Sequence, residues 1–292
     1  MECVSIPESL FGSFSSEKER FQTRLQNTNN KKTSDKRLIV MNILALIPAR
    51  YASSRYPGKP LADIHGKPMI QHVYERSCSV FGEACYVATD DTRIERAVQS
   101  FGGRVVMTSS AHRSGTDRCA EALAIIERQS GQSFDTVVNI QGDEPFIARE
   151  QLEQIRRCFD DPQTQIATLV KPFGPDENIF NPNSPKVVLS AAGDALYFSR
   201  SAIPFLRGVP QEEWQQRHTY YKHIGLYAYR SDVLRTITRL APSSLETAES
   251  LEQLRWIENG FRIRTAVTTL ESHAIDTPED LQRLLGLFSS EA

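Results

Sequence analysis

From Ile39 onward, short apolar and β-branched runs alternate with stretches of helical spacing. This alternation restricts the chain to an α/β fold with a mostly parallel sheet covered by helices. The first buried strand reads NILALIP, and PMIQHVYERSCSV follows with Met69, Ile70, Val73, Tyr74 and Val80 spaced as on one helix face. ACYVATD, RVVMT, DTVVNIQGDEP and QIATLVKPF read as further strands, separated by the helical stretches TRIERAVQSFGG, TDRCAEALAIIERQ and EQLEQIRRCF. In TDRCAEALAIIERQ the expected core-facing residues are Ala120, Leu123, Ala124 and Ile126. The pattern then changes. PKVVLSAAGDALYFSR reads as two antiparallel strands joined by a tight turn at Gly193-Asp194, and KHIGLYAYR as one more strand. An inserted subdomain, roughly residues 171–230, is therefore expected to interrupt the parallel sheet. Beyond it come the helical stretches SDVLRTITRL and SLETAESLEQLRWIENG and a last strand, RIRTAVTT. The closing helix DTPEDLQRLLGLF should have Thr277 as N-cap, Pro278 at N1 and Asp280 completing a capping box.

A chain of 292 residues is long enough for one large α/β domain or two ordinary ones. The net charge of −2 gives no global attraction for nucleic acid or acidic membranes, so any anion binding must come from a local arrangement of cations. The five cysteines are scattered, odd in number and without a C-x-x-C pair, which suits reduced thiols rather than a disulfide frame or a zinc site. The longest apolar run, LIVMNILALIPA, is interrupted by Asn42 and falls short of the roughly 20 residues that cross a bilayer. Residues 1–36 are polar and rich in Ser, Asn and Lys, and are expected to form a disordered tail before a single domain over 37–292. They lack the apolar core of a signal peptide, and Glu2, Glu8, Glu17 and Glu19 argue against a transit peptide. A cytoplasmic location is expected.

Three stretches can carry chemistry. After the first strand, IPARYASSRYPGKPLADIHGKPMI places Arg50, Arg55 and Lys59 in one loop shaped by Pro57-Gly58. A loop at that position of an α/β chain is favoured for phosphates, because backbone N–H groups of the loop and of the following helix meet the anion. It matches neither G-x-x-x-x-G-K-[ST] nor G-x-G-x-x-G. Arg can fork two phosphate oxygens while Lys supplies a compact charge, so three cations suit a triphosphate; a solvated cationic loop is the plain alternative. NIQGDEP sets Asp143 and Glu144 just past a hydrophobic strand, at the carboxyl edge where ligands bind. A carboxylate there can hold Mg²⁺, with Asp276 as a possible partner, or can simply close a turn. AHRSGTDR offers Ser114, Gly115 and Thr116 to a base or ribose, and Ser114 or Thr116 equally suits a helix N-cap. RHTYYKHIGLYAYR, with two His and four Tyr, is a weaker signal that packing alone explains.

Taken together these stretches resemble one family, the 3-deoxy-manno-octulosonate (Kdo) cytidylyltransferases. The resemblance is carried in order by IPARYASSRYPGKPLADIHGKPMI, VATDD, SGTDRCAEA, VVNIQGDEP, FNPNSPKVVLSAAGDALYFSR, HIGLYAYR, LEQLRWIENG and DTPEDL. It implies a Rossmann-like α/β fold of the nucleotide-diphospho-sugar transferase type, an inserted antiparallel dimerisation subdomain and a homodimer. The implied reaction is transfer of CMP from CTP to the anomeric hydroxyl of Kdo with release of pyrophosphate, supporting lipopolysaccharide synthesis. Carried over by position, Arg50, Lys59 and Asp143 are the expected catalytic residues. Arg50, Ser54, Arg55 and Lys59 would hold the CTP phosphates, with Ser114, Gly115 and Gln141 on the nucleotide side. Asp143 and Asp276 would hold Mg²⁺. Arg207, His223, Tyr227, Glu252 and Gln253 match sugar-side positions, although the segment from Leu206 to Thr219 departs most from the family pattern. The competing readings are a cytidylyltransferase for another acidic sugar, such as sialic acid or an amino-Kdo, and a non-catalytic nucleotide-binding module. No nucleic-acid or membrane partner is expected.

Overall fold

Leu44, Ala45, Leu46 and Ile47 have no exposed surface, so β1 (Ile43–Ala49) is covered on both faces, as an inner strand of a helix-covered sheet must be. The computed structural model describes residues 41–53, 55–271 and 273–288; the tail expected over 1–36 lies outside them. After β1 come a short antiparallel pair, β2 (Asp63–Ile64) and β3 (Lys67–Pro68), helix α1 (Met69–Phe81) and β4 (Cys85–Thr89). Helix α2 (Thr92–Ser100), β5 (Val105–Met107), α3 (Gly115–Ser130), β6 (Thr136–Asn139), α4 (Arg149–Arg157) and β7 (Ile166–Pro172) continue the alternation. The hairpin β8 (Lys186–Leu189) and β9 (Ala195–Ser199) precedes the short helix α5 (Trp214–Arg217) and β10 (Tyr221–Arg230). Helices α6 (Ser231–Ile237), α7 (Ser244–Glu249) and α8 (Gln253–Glu258), strand β11 (Ile263–Val267) and helix α9 (Pro278–Phe288) complete the fold.

The main sheet runs β11-β7-β10-β6-β1-β4-β5, with β8 paired to β10 and β9. β1 is parallel to β4 and β6, β4 to β5, and β7 to β11, whereas β10 lies antiparallel between β6 and β7. The α/β class with a mostly parallel sheet is as expected. The last ten residues of the segment 171–230 nevertheless form β10, in the middle of the main sheet. Ile224, Leu226, Tyr227, Ala228 and Tyr229 are all buried, the near-continuous burial of an inner strand. Its register slips between Ile224 and Tyr227. The rest of that segment has a small core of its own, Ile179, Trp214 and Tyr220.

Two local expectations are corrected. In α3 the buried apolar residues are Cys119, Ala122, Leu123 and Ile126; Ala120 is half-buried and Ala124 exposed, because the helix rolls Cys119 and Ala122 onto the sheet. SLETAESLEQLRWIENG is two helices instead of one, broken at Ser250, which adopts φ 50°. The break is held from outside: Glu249 accepts from Ser199 Oγ (2.6 Å) and Arg200 N (2.9 Å), and Arg200 Nε donates to the Glu249 carbonyl (2.7 Å). The capping box of α9 is present, with Asp280 N donating to Thr277 Oγ1 (3.2 Å) and Thr277 N to Asp280 Oδ2 (3.1 Å). Helix α9 packs Leu281 and Leu284 with Ile275 against Ile64 and Met69, which anchors the end of the chain beside the loop that follows β1. Cys78, Cys85, Cys119 and Cys158 are free thiols, and no described helix is long and apolar enough to cross a membrane.

Candidate active site

Strands β1 and β6 run parallel and end at the same edge of the sheet, and the loops leaving them are drawn together by close backbone approach. A Cβ on Gly142 would stand 2.9 Å from the Pro48 carbonyl oxygen, a backbone atom that cannot yield, so only glycine fits there. Gly58 has φ 74°, and its Cα lies under the Tyr51 ring, 3.0 Å from where a Cβ would sit. Its N–H donates to the Tyr51 carbonyl (2.9 Å), folding the Arg-rich loop back on itself before the 3-10 turn Lys59–Leu61. Arg93 lies over the Tyr51 ring at 3.2 Å from its centroid.

These loops enclose a cavity of about 290 Å³ lined by Arg50, Arg55, Lys59, Ser114, Gly115, Gln141, Asp143 and Asp276, among others. The two aspartates, 133 residues apart in sequence, converge because Ile275 N donates to the Asp143 carbonyl at 2.9 Å. Lys59 Nζ donates to Asp143 Oδ2 at 2.8 Å and lies 3.5 Å from Asp276 Oδ1; Arg55 Nη2 lies 3.0 Å from the same Asp276 oxygen. The Lys59 side chain is only 12% exposed, so its pairing is less screened than that of a surface ion pair. Ser54 lies outside the described residues.

The cavity also contains residues that sequence reasoning passed over: His112, Arg113 and Arg118. Arg118, within SGTDR, is buried at the start of α3, donates to Thr108 Oγ1 (2.6 Å) and pairs with Asp90 Oδ2 (3.2 Å). A charged residue in the first turn of an otherwise core-facing helix stretch was the signal for it. His112 meets Glu121 Oε2 at 2.5 Å. Burial opposes ionisation of Glu121, but the Ser109 amide and His112 outweigh it and hold the carboxyl below its ordinary range. Ser114 is both a lining residue and the N-cap of α3, accepting from Asp117 N at 3.1 Å, so its two possible roles coexist.

The expected sugar-side residues do not line this cavity. Four of them gather instead on the β10 face under α8. The His223 and Tyr227 rings are 5.2 Å apart, Tyr227 meets Trp256 edge-on at 5.2 Å, and Glu252 and Gln253 open α8. Burial pulls His223 down to about 4, and its Nε2 lies 3.1 Å from Thr168 Oγ1. Burial pushes the Glu252 carboxyl up, against the opposing hydroxyls of Thr116 and Ser114. Among the described residues, buried Gln253 Nε2 has no hydrogen-bond partner, and the buried Tyr227 hydroxyl has none of ordinary geometry, interacting with Thr168. Arg207 is exposed, carried on the segment whose Leu206 packs against Trp214 and Tyr220, and is not brought to this group.

A cationic loop facing convergent carboxylates at the carboxyl edge of an α/β sheet defines the nucleotidyltransferase class. Residues 44–264 match the cytidylyltransferase family. The chain is 58% identical to the 3-deoxy-manno-octulosonate cytidylyltransferase of Parabacteroides distasonis over 255 residues, covering 86% of this chain and 100% of the relative. It is 61% identical to the protein of the same description from Phocaeicola vulgatus over 246 residues, 83% of this chain and 96% of that one. A solved CMP:2-keto-3-deoxy-manno-octonic acid synthetase complexed with CTP superposes with a TM-score of 0.78 at 45% identity, covering 86% of this chain and 100% of that one. The chain belongs to the 3-deoxy-manno-octulosonate cytidylyltransferase family.

Proposed function

We propose that this protein transfers CMP from CTP to the anomeric hydroxyl of Kdo, giving CMP-Kdo for lipopolysaccharide synthesis and releasing pyrophosphate. The observation that carries the reading is Lys59, held between Asp143 and Asp276 at 2.8 and 3.5 Å in a cavity lined by further arginines. Triphosphate oxygens exchange for these carboxylates as partners of Lys59 and Arg55, while Arg50 adds a fork for a second phosphate. The same cations neutralise the charge that builds on the leaving pyrophosphate. Ser114, Gly115 and Gln141 line the same cavity, which supports a role for them at the nucleoside end.

Asp143 and Asp276 fit Mg²⁺: they are hard oxygen donors, two in number, brought to one point beside the phosphate-binding cations. That donor set suits an ion usually held through one or two carboxylates plus substrate phosphates. When bound, Mg²⁺ supplies Lewis-acid stabilisation of phosphoryl charge. The protein itself orients both substrates, holding the sugar hydroxyl in line with the α-phosphate.

Kdo is a polyhydroxylated acid. His223, neutral at ordinary pH, the buried Tyr227 hydroxyl and the Gln253 amide supply donors for hydroxyl groups, and Glu252 an acceptor. Arg207 lies outside this group, on an exposed stretch of the segment 171–230, and is proposed to meet the sugar carboxylate from there. The segment 171–230 carries exposed Phe180, Leu196 and Phe205, which supports its role as the dimerisation subdomain of a homodimer acting in the cytoplasm. The test is pyrophosphate release from CTP with Kdo and with N-acetylneuraminate in parallel, with and without magnesium. Release with Kdo and magnesium only is expected; equal release with N-acetylneuraminate, or none with either sugar, would overturn the reading.

A further inference from the structure

The first turn of α3 stands between the two groups of residues. Ser114 and Gly115 line the cationic cavity. Thr116, the next residue, does not; it is 2% exposed, and its Oγ1 donates to Glu252 Oε2 at 2.8 Å. Glu252 lies two residues past the break at Ser250, so no long helix fixes its carboxylate. Around this bond lie buried polar atoms with no hydrogen bond of ordinary geometry among the described residues, Gln253 Nε2, Asn139 Oδ1 and the Tyr227 and Tyr229 hydroxyls; the Tyr229 hydroxyl interacts with Thr116 and Asn139, and that of Tyr227 with Thr168. Buried polar atoms without a well-formed hydrogen bond are costly, so the group suits a ligand rich in hydroxyls better than packing alone.

We infer that Thr116 is a positioning residue that couples the two halves of the site, fixing the Glu252 carboxylate for the sugar when nucleotide holds the Ser114–Gly115 turn. The inference rests on the sugar-side reading of Glu252 given above. The coupling has a direct thermodynamic consequence: whatever factor nucleotide adds to sugar affinity, sugar must add to nucleotide affinity. Thr116→Val keeps the shape of the side chain and removes the donor, leaving a half-buried carboxylate short of a partner.

The experiment compares wild type, Thr116→Val and Thr116→Ser. It measures the KM of each substrate, the melting temperature, and the Kd of Kdo with and without the α,β-methylene analogue of CTP, which cannot be cleaved between the α and β phosphorus atoms. Thr116→Val is expected to raise the Kdo KM about tenfold or more, the loss of one hydrogen bond to a charged group. The Kd of the CTP analogue measured without Kdo should change less than about twofold; by reciprocity the CTP KM at saturating Kdo should rise by the lost coupling factor, and the analogue should no longer tighten Kdo. Thr116→Ser, which keeps the hydroxyl, should restore both. If Thr116→Val fails to fold, Thr116→Ala beside Thr116→Ser makes the same comparison. Unchanged Kdo KM and coupling in the hydroxyl-free variant would overturn the inference, as would wild type with no coupling. A Ser variant as impaired as the Val variant, its defect tracking a lowered melting temperature, would overturn it too. Glu252→Gln separates the two levels. If it leaves the Kdo KM unchanged, the sugar-side reading itself fails; if it raises that KM while Thr116→Val does not, only the coupling fails.

Discussion

Asp143 carries the most consequence for the fewest atoms: one of its carboxylate oxygens accepts from Lys59, and its backbone carbonyl holds the segment bearing Asp276. Asn keeps the backbone contact and the size but loses the charge. Asp143→Asn should therefore lower kcat roughly 10²- to 10³-fold, about 3–4 kcal/mol of transition-state stabilisation, with an unchanged circular dichroism spectrum. Pyrophosphate release at saturating magnesium checks this, and near-normal turnover would exclude the metal-ligand role. His223 makes a separate prediction about stability. Burial holds its folded-state pKa near 4, below the 6.5 of an unfolded histidine. As pH falls below about 6.5 the unfolded chain takes the proton first, so stability declines with falling pH until about 4. Urea midpoints measured between those values should show a shallower dependence in His223→Gln than in wild type. Neither role could be read from residue type alone: His223 is one of six histidines, and only its place between Thr168 and the aromatic rings singles it out.

At the scale of elements, the main-sheet strands and the helices up to β7 were legible because each hydrophobic run is short and bounded by Gly, Pro or Asp; the two-residue strands β2 and β3 were not, being too short to show a period. The capping box of α9 was legible for the same reason: its partners are three residues apart. The break between α7 and α8 was not. Its local signal, SLETAESLEQLRWIENG, is that of one helix, and the bonds that interrupt it come from Ser199 and Arg200, some 50 residues away. The loop after β1 is intermediate. Pro57-Gly58 announced a turn, but the need for glycine comes from its left-handed φ and the Tyr51 ring packed over it. Gly58→Ala should destabilise the protein by about 1–2 kcal/mol, the cost of an L-residue in that conformation, and raise the CTP KM several-fold by shifting Lys59. Chemical denaturation and CTP titration check the two parts separately.

At the scale of the whole molecule, the exposed large apolar side chains of the described residues concentrate in one part of the chain. Phe180, Leu196 and Phe205 are 44%, 55% and 71% exposed within residues 171–230, and Val267 is 50% exposed on β11. If this region is the contact between two copies, Phe205→Asp should weaken the dimer by placing a charge in an apolar contact. Sedimentation velocity over a dilution series would then show monomer at concentrations where the wild type is dimeric; a wild type that is monomeric throughout would dispose of the proposal. The amino-acid sequence by itself determined the α/β class, the cationic loop with its phosphate chemistry, and the family, because these rest on local periodicity and on motifs whose residues are near neighbours. The tertiary structure alone decided that β10 runs antiparallel through the middle of the sheet, that Asp143 and Asp276 meet around Lys59, and that Thr116 reaches Glu252. Each of these joins residues 50 to more than 200 positions apart, and such partners are chosen by packing and backbone hydrogen bonds of the completed fold, which no local pattern encodes.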